Sequence, residues 1–130
     1  MHANLERLMQ LNDAWMRGDM EAANGYWTDD VVWYVPGRHA LAGEHRGKDA
    51  MNALIGRFME ITAGTIKLEP LDAMADDHHI VAVFRGTATR PDGMTLDVED
   101  ANAILVDDQG KFTTCWWLPN DQAQFDAFWQ

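Results

Sequence analysis

The sequence predicts an α+β fold, and three observations carry that prediction. Apolar residues recur at three- and four-residue spacing near the N-terminus and again after Lys48. The period switches to two after Gly64, and the later runs are joined by turn clusters such as Pro91-Asp92-Gly93 and Asp107-Asp108-Gln109-Gly110. Helical runs followed by hairpin-linked strands place helices on one face of an antiparallel sheet.

Over residues 5–17, Leu5, Leu8, Met9, Leu11, Trp15 and Met16 form one apolar helical face that Gly18 ends. A short second helix fits residues 20–27, and Val31-Val32-Trp33-Tyr34-Val35 reads as a strand stopped by Pro36-Gly37. Residues 38–47 show no period and read as an ordered loop. The third helix buries Met51, Leu54, Ile55, Phe58 and Met59, with Asp49 in its first turn, where the helix dipole favours an anion. Pro70 then marks a bulge or an edge strand, because the apolar phase of Ile66 and Leu68 reverses at Leu71 and Ala73. Strands follow at 80–90, 94–106 and 112–118, and a terminal segment capped by Asn120 or Asp121 carries Phe125, Phe128 and Trp129.

At 130 residues the chain is expected to form one domain over 1–130. Ten Lys and Arg against twenty-one Asp and Glu give a net charge of -11, which repels nucleic acid and anionic membrane surfaces. The single cysteine, Cys115, forms no intrachain disulfide and no thiolate metal cluster, and fits a reducing cytoplasm. The first residues lack the basic start and apolar run of a signal peptide, and no apolar stretch approaches the roughly 20 residues that span a bilayer. A glycine-rich phosphate loop, a serine nucleophile motif and metal-type histidine spacing are all missing from the sequence.

The strand at 94–106 is the most informative segment. One face reads Met94, Leu96, Val98, Asp100, Asn102, Ile104 and Val106, so two polar residues interrupt an apolar wall. A tight hairpin with Arg90 opposite Met94 sets Phe84 opposite Asp100 and Arg85 opposite Glu99. Desolvation raises the pKa of a carboxyl on such a wall toward the range of a general acid or base, which makes Asp100 a catalytic candidate. The alternatives are a β-bulge that turns the pair outward, or a structural ion pair of Asp100 with Arg38, Arg46 or Arg57. Asn102 is a candidate donor to a developing oxyanion, or else a core amide bonded within the fold. His39 follows the Trp33 strand on a loop that can reach a pocket mouth as acid, base or substrate donor, or it is a plain loop residue. His78-His79, in an acidic turn with Asp76 and Asp77, reads as a solvated turn, since adjacent strand residues face opposite ways. The six tryptophans either line a pocket or fill a core, and Trp15, Trp33, Phe58 and Phe84 are the candidate walls.

The run Asp29-Asp30-Val31-Val32-Trp33 to Pro36-Gly37, then Leu41-Ala42-Gly43 and Arg46-Gly47-Lys48-Asp49-Ala50, resembles the signature of SnoaL-like proteins of the nuclear transport factor 2-like superfamily. Trp15 to Asp19, the 108–111 turn and the closing Phe125 to Trp129 agree, so the resemblance covers nearly the full length. It implies a cone-shaped barrel of a curved mixed or antiparallel sheet packed on three N-terminal helices, around a conical pocket. It also implies chemistry without a cofactor or metal, and often a homodimer packed through the sheet. Relatives include ketosteroid isomerase, scytalone dehydratase, limonene epoxide hydrolase and polyketide cyclases, besides transport adaptors, so the fold leaves the function open.

Aligned with ketosteroid isomerase, the general-base position falls on the pocket residue Val35 and the oxyanion tyrosine on Leu11, while the second oxyanion position falls near Asn102. Two apolar replacements exclude steroid isomerisation by the same residues. The gap-free alignment turns Trp117 into the pocket and Trp116 outward, where an exposed indole marks an interface. The expectation is a cofactor-independent acid–base enzyme of isomerase, cyclase, dehydratase or epoxide hydrolase type. It would act on a small, largely apolar oxygenated molecule, with Asp100, Asn102 and His39 catalytic. The alternative is a noncatalytic small-molecule-binding homodimer of the same fold.

Overall fold

The computed structural model describes residues 1–130. In chain order the elements are α1 (Ala3–Met16), α2 (Met20–Asn24), β1 (Trp27–Val35), β2 (Gly43–Arg46), α3 (Lys48–Ile61), β3 (Lys67–Ala75), β4 (His79–Thr89), β5 (Thr95–Val106), β6 (Phe112–Pro119) and α4 (Gln122–Phe128). The six strands form one sheet in the order β2-β1-β6-β5-β4-β3. It is mixed: β1 and β6 run parallel, and every other pair is antiparallel.

Helix starts follow local capping chemistry. His2 precedes α1 and its Nδ1 accepts the Asn4 N–H, Asp19 accepts the Ala22 N–H ahead of α2, and Asp121 accepts the Gln124 N–H ahead of α4. Each contact satisfies a donor that the first helical turn leaves open. Asn4 is itself buried, and its Nδ2 donates to the Asp76 and Asp77 carbonyls, which ties the start of α1 to the β3–β4 turn.

Several boundaries differ from the sequence expectation. Residues 43–46, expected within a loop, form β2, pairing Arg46 to Gly43 with Val32 to Val35 of β1. Four residues are too few to display a period, and their partner strand supplies the hydrogen bonds. α2 ends at Asn24, and Trp27 begins β1 instead of closing the helix. Met9, Met16 and Met59 lie outside the buried stripes, with Met16 80% exposed. In α1 the stripe runs through Asn4, Leu8, Leu11 and Ala14, so Met9 sits one step, about 100°, off its centre.

The later strands behave as their pattern requires. The register of β3 against β4 shifts between Pro70 and Asp72, and β3 is an edge strand as well. Phe84 lies opposite Asp100 and Arg85 opposite Glu99, with the Arg90 N–H donating to the Met94 carbonyl at 2.8 Å. Arg85 nevertheless makes its two-pronged ion pair with Asp97 at 2.9 and 2.8 Å, because the diagonal neighbour is within reach of its long side chain. The core lies between the inner sheet face and the helices, and α4 adds Phe125 and Phe128 to it, followed by its C-cap residue Trp129.

Candidate functional site

A cavity of about 370 Å³ lies between α1 and the inner sheet face. Leu5, Leu8, Leu11 and Trp15 of α1 form one wall, the β3 bulge from Pro70 to Ala73 another, and Phe84, Asn102, Ile104 and Cys115 of β4, β5 and β6 the floor. Trp27 and Trp33 of β1 complete it. The three indoles pack together, with ring centroids 6.3 Å apart for Trp15 and Trp27, 6.2 Å for Trp15 and Trp33, and 5.3 Å for Trp27 and Trp33. Alternation along β1 puts Val31, Trp33 and Val35 inward, and Trp33 lies opposite Cys115 of β6.

The polar residues of the lining are few: Asn12, Asp72 and Asn102. Asn102 sits where β4, β5 and β6 run side by side, opposite Ala82 and Trp117, and its Nδ2 is buried without a hydrogen-bond partner. Asp72 lies on the edge strand with its Oδ1 accepting the Ala73 N–H at 2.8 Å. Burial pushes the Cys115 thiol strongly up, so it remains protonated and is a poor nucleophile.

Asp100 faces inward and is 3% exposed, but it is not part of the cavity lining. Its Oδ2 accepts the Trp117 Nε1–H at 3.0 Å and its Oδ1 accepts the Asn120 N–H at 3.2 Å. Burial raises its pKa above the ordinary carboxylate value, and these two hydrogen bonds pull in the opposite direction. No β-bulge turns the pair outward, since the β4–β5 register is continuous from His79 to Thr89. No arginine reaches Asp100 either: Arg46 pairs with Glu44 and Arg57 with Glu60.

His39, Val35, Phe58 and Trp117, expected at the pocket, lie outside the cavity lining with Asp100. His39 has both ring nitrogens engaged by its own loop, Nδ1 accepting the Leu41 N–H at 3.1 Å and Nε2 meeting the Pro36 carbonyl at 3.0 Å. That pairing fixes the neutral Nε2–H tautomer, and burial lowers its pKa. The loop holds its shape through Gly37 at φ 112°, where a Cβ would fall 2.0 Å from the Asp126 carboxylate that accepts the Arg38 N–H. Val35 is buried at the end of β1, beside a groove along the β1 and β6 ends that Trp117 also borders. Phe58 packs between Trp117 at 5.3 Å and Trp129 at 4.9 Å, filling the volume there.

The expected residues that do meet at the cavity are Trp15, Trp33, Phe84 and Asn102. Sequence reasoning missed Asn12, Asp72 and Trp27. Asp72 was signalled by the bulge at Pro70, which re-aims the strand, whereas Trp27 was hidden by its assignment to a helix end. Leu11, the position aligned with the isomerase tyrosine, is a fully buried apolar wall. The arrangement leaves a mostly apolar cavity that Asn102 borders, with the buried Asp100 carboxyl two residues along the strand and turned to other partners.

Comparison with known proteins bears on the fold more than on the site. An uncharacterized protein of Mycobacterium tuberculosis is 32% identical over 128 residues, covering 98% of this chain and 96% of the relative. The structure of Bal32a, from a soil-derived mobile gene cassette, is 30% identical with a TM-score of 0.91, covering 98% of this chain and 96% of that one. TerC, co-crystallized with polyporic acid, superposes with a TM-score of 0.83 at 19% identity, covering 96% of each chain, and shares the fold alone. The SnoaL-like domain pattern matches residues 8–114. This chain therefore belongs to the SnoaL-like family, and its fold is that of nuclear transport factor 2-like proteins.

Proposed function

We propose that the cavity binds a small, largely apolar oxygenated molecule, and that binding rather than turnover by Asp100 is its role. The observation that supports this most is the division of labour on β5. Asn102 lines the cavity, while both Asp100 oxygens are engaged by Trp117 and Asn120 outside it. A mostly apolar cavity with a few placed polar groups suits such a ligand. TerC, of the same fold, was co-crystallized with polyporic acid.

A second reading, a cofactor-independent enzyme of isomerase, cyclase, dehydratase or epoxide hydrolase type, rests on the burial-raised pKa of Asp100 two residues from Asn102. It requires Trp117 to release the carboxylate toward the ligand. The two readings separate when wild type and Asp100→Asn are titrated with hydrophobic ketones, lactones and epoxides, following both affinity and product. The binding reading expects equal affinities and no product. Turnover in wild type that is lost in Asp100→Asn would overturn it.

We further propose that the partner is a second copy of this chain, packed through the outer sheet face. Trp116 stacks there on Tyr34 at 5.5 Å beside the exposed Leu118, and Val81, Val83, Ala101 and Ala103 continue the apolar face. Sedimentation should give a dimer for wild type and a monomer for Trp116→Glu; a monomeric wild type at micromolar concentration excludes the dimer. The buried thiol of Cys115 suits a reducing compartment such as the cytoplasm, and no helix is long and apolar enough to cross a membrane.

A further inference from the structure

The cavity has two ends of different character. Its depth is walled by buried side chains: Leu11, Trp27, Trp33, Phe84, Ile104 and Cys115 are each no more than 5% exposed. Its opening lies between α1 and the edge strand β3, where Met9, Leu68 and Leu71 border the cavity and are 54%, 38% and 47% exposed. A residue that both borders a cavity and meets solvent stands at its mouth.

Helix geometry and the β3 bulge build this rim. Met9 lies on the flank of the α1 stripe, one turn from Leu5 and Asn12, which border the cavity as well. Pro70 lies opposite Phe84 and Asp72 opposite Val83, so Leu71 between them has no β4 partner and is the extra residue of the bulge. Exposed apolar side chains scattered singly need no explanation, whereas these three converge on one opening. Met16 and Met59 set the contrast: both are exposed, and neither borders the cavity.

We propose that this mouth seats an aliphatic chain, so that the ligand is a ring compound whose flat part fills the deep end and whose unbranched chain leaves between Met9, Leu68 and Leu71. This deepens the binding reading above and rests on it. The rigid faces of Trp27, Trp33 and Phe84 suit a planar ring. The flexible Met9 thioether, beside two leucines, adapts to a chain of many conformers. The chain is neutral to its end, because no Lys, Arg or His lines the cavity, Asp72 is the one charged side chain there, and the protein carries a net charge of -11. Seating it removes apolar surface of both chain and rim from water.

A series of para-alkylphenols with unbranched ethyl, butyl, hexyl and octyl chains tests this by calorimetric titration. On wild type, binding should tighten by roughly two- to fourfold per methylene from butyl to octyl. In a variant carrying both Met9→Ser and Leu71→Ser that gain should fall toward one. Met16→Ser, on the same helix but away from the opening, should keep the wild-type gain. Because the gain is a ratio within each protein, any change in affinity for the shared phenol ring cancels. On wild type with isotope-labelled methionine methyls, the octyl and not the ethyl member should move the Met9 methyl resonance, a readout that needs no variant. An equal gain in wild type and the double variant, or a Met9 methyl unmoved by the octyl member, overturns the chain seat and leaves the cavity reading standing. If no member of the series binds wild type, both readings fall.

Discussion

Two aromatic clusters lie under the same sheet, one closed by packing and one bordering open volume, and Trp129 in the packed cluster leaves its N–H unpaired as Trp27 and Trp33 do in the other. At one end Trp117, Phe58, Phe125 and Trp129 interlock, with Phe125 6.0 Å from Trp117 and 6.2 Å from Trp129, and the Trp117 N–H is met by a buried carboxyl. At the other end Trp15, Trp27 and Trp33 border about 370 Å³ of open volume, and the two buried indoles meet no acceptor. Phe84 stands between the two, lining the cavity while packing edge-on to Trp117 at 5.6 Å. Asp100 and Asn102 are neighbours on one strand face, roughly 7 Å apart by strand rise, yet each serves a different end. Orientation inward is therefore a weaker statement than membership in a site: a polar residue on the inner face can close a core as readily as open onto a ligand.

The largest expected effect lies at the packed end. Phe125→Ala should cost about 3–5 kcal/mol, since deleting a fully buried ring from a filled cluster leaves a void that its neighbours cannot collapse into. Trp117→Phe should cost about 1–3 kcal/mol by leaving the Asp100 carboxyl short of a donor, whereas Trp33→Phe, which deletes an unpaired N–H, should stay within about 1 kcal/mol. Denaturant midpoints of the three variants check the order, and a Trp33→Phe loss as large as that of Trp117→Phe would erase the distinction between the ends.

The smallest effect sharpens the same comparison through pH. The folded-state pKa of Asp100 is raised, chiefly by burial, so between its unfolded value of about 3.9 and its folded value the native state binds more protons than the unfolded state. Stability then falls as pH rises through that window and levels off above the folded pKa. Asp76, Asp97 and Asp126, whose pKa values are lowered by their hydrogen bonds, tilt the total the other way. The informative quantity is therefore wild-type stability minus that of Asp100→Asn, which should decline from about pH 4 upward. A flat difference would mean that the carboxyl is not desolvated as its packing requires.

The strong local signals were legible. Pro91-Asp92-Gly93 set the hairpin register, Pro70 marked the bulge, and strict alternation along residues 94–106 turned Asp100 and Asn102 inward. The weak ones were not. A four-residue strand such as Gly43–Arg46 exists because β1 is there to pair with it, and Trp27 reads equally well as a helix end or a strand start until Phe112 of β6 lies beside it. Of the expected site, Trp15, Trp33, Phe84 and Asn102 border the cavity, while Asp100, Val35, Phe58, Trp117 and the loop residue His39 lie outside its lining. The two His39 nitrogens close hydrogen bonds within four residues of chain, and nothing in composition distinguishes that from a histidine reaching for a ligand.

By itself the sequence determined the family, the α+β order and the inner face of the long strand, because periodicity, turn residues and capping groups act over a few neighbouring positions. Only the tertiary structure decided which inward residues share empty space and which share neighbours. That is settled by how α1, α3 and α4 pack across the sheet: α3 and α4 fill the Asp100 end with Phe58, Phe125 and Trp129, while α1 stands off the β3 bulge and leaves Asn102 beside a cavity.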